Sequence, residues 1–397
     1  MASRFLILTF VVVGALASAQ TVEFFYTESE HYRVGSDQNL ERAVELASLA
    51  EAGMSLFNEI YHFDTSALPA RLRVKIFSRK SDFDSYLESV VTEPRDRFVY
   101  VHYEDPLKSE LVGFEREPQD LNRSFIHLGS IQLLKAFVGH TPMWLREGVA
   151  AYLENASFNR ESVSFSWRPN LSLLGSLKKL YRGESGLEPL SARRLLSLSE
   201  EGAAEAVEVF YPQAWGLVHF LIESNDRRIN RVLWDSIGAL HPTSSLAENS
   251  TSVSDRAFSW IGIDQIAARM TEFVFDLNTF SDLIQLGVEA YEEEKLDDAE
   301  SSFRAAIELE DSNFVPYYYL GLIAYSRHQY SAADIFYTIA LDLSETPALI
   351  HYALGVNAFA DNRYDPATEH LEQARQLNSA DYGERVDALL ARIEALR

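Results

Sequence analysis

The sequence contains no cysteine. Disulfides, thiolate nucleophiles, iron–sulfur clusters, cysteine zinc sites and lipid attachment at an N-terminal cysteine are therefore excluded. Basic residues are scarce: 35 Lys and Arg against 59 Asp and Glu give a formal charge of −24. So acidic a surface has few cations to hold nucleic-acid phosphates or anionic lipid, and neither is an expected partner. After the first apolar run, no stretch approaches the roughly 20 residues that a membrane-spanning helix needs. A Gly-x-Ser-x-Gly elbow, a Gly-rich phosphate loop and a dinucleotide fingerprint are also missing. What is present is an ordinary globular balance, 47% hydrophobic and 24% charged over 397 residues. That length accommodates two or three domains.

The chain opens with Arg4, an apolar run from Phe5 to Leu16, and the small residues Ala17-Ser18-Ala19 before Gln20. This is the pattern of a secretory signal peptide. Residues 1–19 are expected to be a cleaved leader, and the mature protein to be exported, periplasmic or secreted, without membrane insertion. A chain this long can bury enough core without disulfides.

The C-terminal third repeats. Gly287, Gly321 and Gly355 stand 34 residues apart, and five further columns keep that period. They are Leu286, Leu320 and Leu354; Ala299, Ala333 and Ala367; Phe303, Tyr337 and Leu371; Ala306, Ala340 and Ala374; Leu309, Leu343 and Leu377. Glycine and alanine let antiparallel helices approach, and the large residue fills the space between them. This period and these columns resemble the tetratricopeptide repeat over about residues 280–381. The usual proline is displaced to Pro347 in one copy and replaced by Asp311 in another. Residues 382–397 read as the amphipathic capping helix that a stacked array needs.

In that family the first helix of each unit lines a concave groove. By column, the resemblance places Ile284, Val288 and Tyr291; Tyr318, Leu322 and Tyr325; and Tyr352, Val356 and Phe359 in the groove. Such a groove is apolar and aromatic, with no cationic clamp for a peptide carboxylate. From Asp282 to Arg397 there are 8 basic and 22 acidic residues, a balance of 8 − 22 = −14. Two readings stand side by side: the groove binds an apolar or helical segment of a protein or peptide partner, or it packs on the chain's own N-terminal domain.

Residues 20–281 read as an α+β region. Alternating apolar residues predict strands at His31–Val34, Leu72–Phe77 and Phe98–Tyr103, and helices over Leu40–Ile60 and Phe83–Val90. A helix from Leu121 to Phe137, capped by Asp120, precedes one starting at Thr141-Pro142 with a hydroxyl cap. Residues 241–259 are Ser/Thr-rich and read as a loop, followed by a helix over 261–280. The second of the paired helices carries Trp144-Leu145-Arg146-Glu147-Gly148. Trp-Leu-x-Glu-Gly resembles the downstream active-site helix of gluzincin zinc peptidases (peptidase MA-like). Tyr211 to Leu221 resembles a later helix of the same family.

In that family the preceding helix carries His-Glu-x-x-His, with two zinc-binding histidines on one face and a glutamate that serves as general base. The downstream glutamate is the third ligand. Counting back twenty residues from Glu147 reaches His127. His127 and Glu147 match the first and third ligands. Leu128 stands where the base belongs and Ile131 where the second histidine belongs. Leucine accepts no proton and isoleucine binds no metal, while a catalytic zinc takes three protein ligands.

The resemblance thus implies a peptidase-like domain without its chemistry. His127 is then expected to be a neutral core histidine bonded to Glu147. A weak zinc site at His127 and Glu147, completed by His102 or His140, is the alternative. No catalytic residues and no cofactor are assigned. The fold expected is a degenerate gluzincin-like α+β domain at 20–281, then three tetratricopeptide repeats and a cap at 282–397. The function expected is that of an exported non-catalytic scaffold. The alternatives are a zinc metallopeptidase with an altered site, or a peptide-recognition subunit of an envelope complex.

Overall fold

The computed structural model describes residues 22–88, 90, 98–103, 108–167 and 169–397. The leader expected at residues 1–19 lies outside them. The chain divides into two compact units, one ending at Asp276 and the other running from Leu277 to Arg397.

The first unit begins with a five-stranded mixed sheet. Its strands are β1 Phe25–Glu28, β2 Tyr32–Ser36, β3 Leu72–Phe77, β4 Val99–Val101 and β5 Glu110–Phe114, in the order β1-β2-β3-β5-β4. The inner pairs β2–β3 and β3–β5 are parallel, and the outer pairs are antiparallel. Helix α1, Leu40–Tyr61, connects β2 to β3, as a parallel pair requires. Asn39 caps it, accepting from the Arg42 amide at 2.8 Å. Strand alternation sorts the faces. Phe77, Val112 and Phe114 pack with Phe83 and Leu87 of α2, Lys80–Glu88. Tyr32, on β2, meets Phe125 of the third helix, with ring centroids 6.4 Å apart.

Helices then dominate. They are α3 Pro118–Phe137, α4 Met143–Leu153, α5 Leu171–Tyr181, α6 Ala192–Leu196, α7 Glu200–Glu205, α8 Val207–Glu223, α9 Arg227–Gly238, α10 Leu246–Val253 and α11 Ile263–Asp276, with a small hairpin, β6 Ser157–Asn159 and β7 Ser164–Ser166, after α4. Several expected boundaries are corrected. Helix α3 starts at Pro118 rather than Leu121, because proline in the first turn loses no intrahelical bond, so Asp120 lies inside the first turn and the cap position falls to Glu117, which makes no side-chain bond. At α4 the cap position is held by Pro142 with no side-chain bond, and the Thr141 hydroxyl is buried instead.

The segment read as a loop at 241–259 is mostly helical. Ser245 and Glu248 form a capping box at the start of α10, and a π-helical turn follows at Ser254–Phe258. Asn249 is fully buried there and donates to the His140 carbonyl at 2.6 Å. The helix expected over 261–280 stops at Asp276, and Thr279 caps the next one. Helices α4 and α8 touch almost backbone to backbone. A Cβ at Gly148 would lie 2.5 Å from the Ala214 carbonyl oxygen.

The second unit is an array of helical repeats. Its pairs are α12 Phe280–Glu292 with α13 Leu296–Leu309, α14 Phe314–Ser326 with α15 Tyr330–Leu343, and α16 Pro347–Ala360 with α17 Tyr364–Leu377, closed by α18 Ser379–Leu396. The columns read from the sequence meet in pairs. A Cβ at Gly287 would lie 2.7 Å from Phe303, at Gly321 2.4 Å from Tyr337, and at Gly355 2.7 Å from Leu371. Each glycine therefore makes room for the large residue of its partner helix. The turn inside each pair also repeats. Glu294, His328 and Asn362 are all left-handed, with φ of 58°, 58° and 60°. The next amide in each turn reaches back to Ala290, Ala324 or Ala358, at 2.8–2.9 Å. This is the Schellman closure of a helix end.

Candidate functional site

The residues singled out on the paired helices converge on a buried ionic cluster. Helix α3 supplies His127, and α4 supplies Arg146 and Glu147 with Glu154 at its end. All four are at most 2% exposed. The His127 imidazole lies between two carboxylates. Its Nδ1 is 2.9 Å from Glu154 Oε2, and its Nε2 is 3.5 Å from Glu147 Oε2.

Both ring nitrogens can donate only when the ring is protonated. Burial acts to lower the His127 pKa, but Glu147 and Glu154 outweigh it and raise the pKa to about 9. The expected neutral histidine is therefore corrected to an imidazolium. Glu154, which the sequence motif does not assign, is its shorter contact. The signal for it was spacing: Glu147 and Glu154 stand seven residues apart and share one helix face.

The rest of the cluster balances the charge. Arg146 Nε donates to Glu147 Oε1 at 2.8 Å, and its Nη1 donates to Glu200 Oε1 at 2.6 Å. The Tyr211 hydroxyl, from α8, donates to Glu147 Oε2 at 3.1 Å. Arg123 Nη2 and Asn170 Nδ2 both donate to Glu154 Oε1 at 2.7 Å. Burial works against the ionised form of Glu147, yet Arg146 and His127 hold its pKa down to about 2. Glu154 is likewise lowered, against burial, by His127 and Arg123. Buried charges persist only when paired in this way.

Leu128 and Ile131 point into the core, at 8% and 0% exposure. His102 Nδ1 lies 3.3 Å from the Ser109 hydroxyl, and His140 serves Asn249 through its carbonyl. Among the described residues, no group of three or more His, Asp or Glu side chains could hold a metal ion. A pocket of about 330 Å³ opens beside the cluster. Arg123, Glu154, Asn170 and Tyr211 form its polar wall, and Leu173, Leu180, Leu187 and Val207 its apolar one.

In the repeat unit, all nine residues expected to line a groove are partly buried: Ile284, Val288, Tyr291, Tyr318, Leu322, Tyr325, Tyr352, Val356 and Phe359. Tyrosines of successive repeats lie near one another. Burial, with the neighbouring Tyr319, Tyr382 and Tyr291, pushes the Tyr318 hydroxyl up to about 12. The Tyr352 ring lies tilted at 35° against Tyr382 of α18, with centroids 5.2 Å apart.

A family model described as "Protein of unknown function (DUF1570)" matches residues 132–237. No curated protein matches the chain. Solved structures similar to it include the Arabidopsis OM64 TPR domain, at 17% identity over 29% of this chain and 93% of that one, with a TM-score of 0.27. The Yersinia enterocolitica type III secretion translocator chaperone SycD is similar at 20% identity over 32% of this chain and 92% of that one, with a TM-score of 0.28. The first TPR of Spaghetti (RPAP3), bound to an HSP90 peptide, is similar at 15% identity over 30% and 91%, with a TM-score of 0.28.

Proposed function

We propose that the protein is an exported, non-catalytic scaffold. In this reading a degenerate gluzincin-like body carries a tetratricopeptide array, whose groove holds a protein or peptide partner. The observation that carries the non-catalytic half is the bonding of His127 and Glu147. The His127 Nδ1 is hydrogen-bonded to Glu154, its Nε2 faces Glu147 at 3.5 Å, and the Glu147 carboxylate already holds the Arg146 cation. Zinc would have to displace the proton from the imidazole and the Arg146 cation from Glu147, and among the described residues no group of three ligands is assembled for it. Leu128 offers no proton acceptor for a bound water.

The array supports the binding half. Its groove presents partly buried aromatic residues, which fit the apolar face of a helical or extended segment.

The test is metal content and peptide hydrolysis by the purified mature protein, with and without added zinc, beside His127→Ala and Glu147→Ala. The expected result is no hydrolysis in any sample and no metal that depends on either residue. Zinc-dependent hydrolysis abolished by Glu147→Ala would overturn the proposal.

A second reading, peptide recognition in the first unit, is favoured by the pocket beside Glu154. It predicts peptide binding that survives Glu147→Ala and is lost when the pocket is filled by Ala151→Phe.

A further inference from the structure

The third repeat brings together two histidines that lie 19 residues apart in the chain. His351 is on α16 and His370 on α17, and their Nδ1 atoms are 3.1 Å apart. The rings are 5.3 Å apart at 33°, so they face each other edgewise rather than stack. Both side chains are partly exposed.

The separation fits a chelate. Two Zn–N bonds of about 2.0–2.1 Å span roughly 3.3 Å at a tetrahedral angle and roughly 2.9 Å at a right angle. The observed 3.1 Å, the length of the hydrogen bond between the rings, lies between these values, so one ion could bridge the two nitrogens with little movement. Without a metal, one Nδ1–H donates to the other nitrogen, a bond that an ion replaces at modest cost.

The surroundings are mixed: burial disfavours charge on both rings, and nearby carboxylates oppose that effect. The exposed Glu369 carboxylate acts on both imidazoles. Asp334 and Arg363 also act on His370, but they pair with each other at 2.7 Å and largely cancel.

We propose that His351 and His370 form a two-histidine site for a divalent transition-metal ion on the repeat array, with water completing the coordination. Imidazole ligands suit copper, nickel and zinc, and affinity should be highest for Cu²⁺. Two protein ligands with open positions make an exchangeable site, able to accept a further ligand from a bound partner.

The inference goes beyond the scaffold reading and does not depend on it. It is tested on the full mature chain by titration calorimetry with Cu²⁺, Ni²⁺ and Zn²⁺, and by electron paramagnetic resonance of the copper form. The expected result is one ion per chain, held by two imidazole nitrogens. His351→Gln and His370→Gln should each abolish binding at concentrations that saturate the parent, while His127→Gln leaves it intact. Circular dichroism without metal checks that the variants fold, and the nitrogen count in the parent tests the site even if they do not. Binding that survives the double variant, or a copper spectrum showing a single nitrogen, overturns the proposal. No binding to any of the three ions overturns it and leaves the scaffold reading untouched. Metal lost in His127→Gln but kept in the double variant overturns both.

Discussion

His127 and Glu154 stand 27 residues apart in the chain and 2.9 Å apart in space, and both are almost completely buried. This contact ties α3 to the end of α4 and, with Glu147, favours the protonated form of the histidine. Breaking a buried pair strands the remaining charge, which costs about 3–5 kcal/mol. Glu154→Gln should lower unfolding free energy by that order in urea titrations of the full chain. It should also move the His127 titration, followed by NMR, down from about 9.

The same cluster sets a pH dependence whose sign follows from the shifts. The folded His127 pKa is raised to about 9 from 6.5, so its stabilisation is full below about 6.5 and is lost as pH rises towards 9. Lys135 runs the other way above about 8, because burial lowers its pKa to about that value. The clean alkaline window is therefore about pH 6.5 to 8, where thermal stability should fall in the parent and stay flatter in His127→Gln. On the acid side, Glu147 has a pKa lowered from 4.5 to about 2, so its contribution is present above about 4.5 and disappears as pH falls towards 2. Burial also lowers His219 from 6.5 to about 4, which removes stability between those values as pH falls. Melting curves from pH 3 to pH 8 check both limbs.

The left-handed residue in each repeat turn predicts a ranking. Glu294 adopts φ of 58°, where a side chain is disfavoured and a β-branched one most of all. Glu294→Gly should be the most stable and Glu294→Val the least, with the extremes separated by about 1–2 kcal/mol. Denaturant midpoints of the three proteins decide it, and a flat ranking would remove the strain argument.

Gly321 and Tyr337 should be coupled. An alanine methyl would meet the Tyr337 ring at 2.4 Å, and overpacking of this kind costs about 1–3 kcal/mol. Helix propensity returns about 1 kcal/mol of that. Gly321→Ala should therefore destabilise modestly on its own. Combined with Tyr337→Leu it should cost less than the two single changes added together, which a double-mutant cycle measures.

What was legible in the sequence depended on local pattern. The repeats were open to reading because their columns record contacts between neighbouring helices. Strand β3 was legible by its alternation over Leu72–Phe77. Strand β5 was missed: Glu110–Phe114 is buried on both faces, so it shows no alternation, and Gly113 reads as a breaker although it makes room for the Phe98 ring. Helix α10 was misread because its Ser/Thr-rich sequence favours loops, while the structure spends Asn249 on three backbone partners. The residues facing His127 were only half legible. Glu147 came with a motif and Glu154 ends the same helix, but Asn170 and Tyr211 reach the cluster from separate elements, and only folding brings them together. The His351–His370 pair was hidden in the same way, by a turn between two helices.

Helix α18 lies against α17 and α16 but fully buries only Val386 and Ile393. A stack held by nearest neighbours opens from its weakest end. The number of helices folded at any instant is then a statistical quantity, and thinly buried helices such as α18 and α12 are where it changes most readily. Proteases entering here would shorten the array one helix at a time, and a partner lying across Tyr352 and Tyr382 would act as a clasp that keeps it at full length.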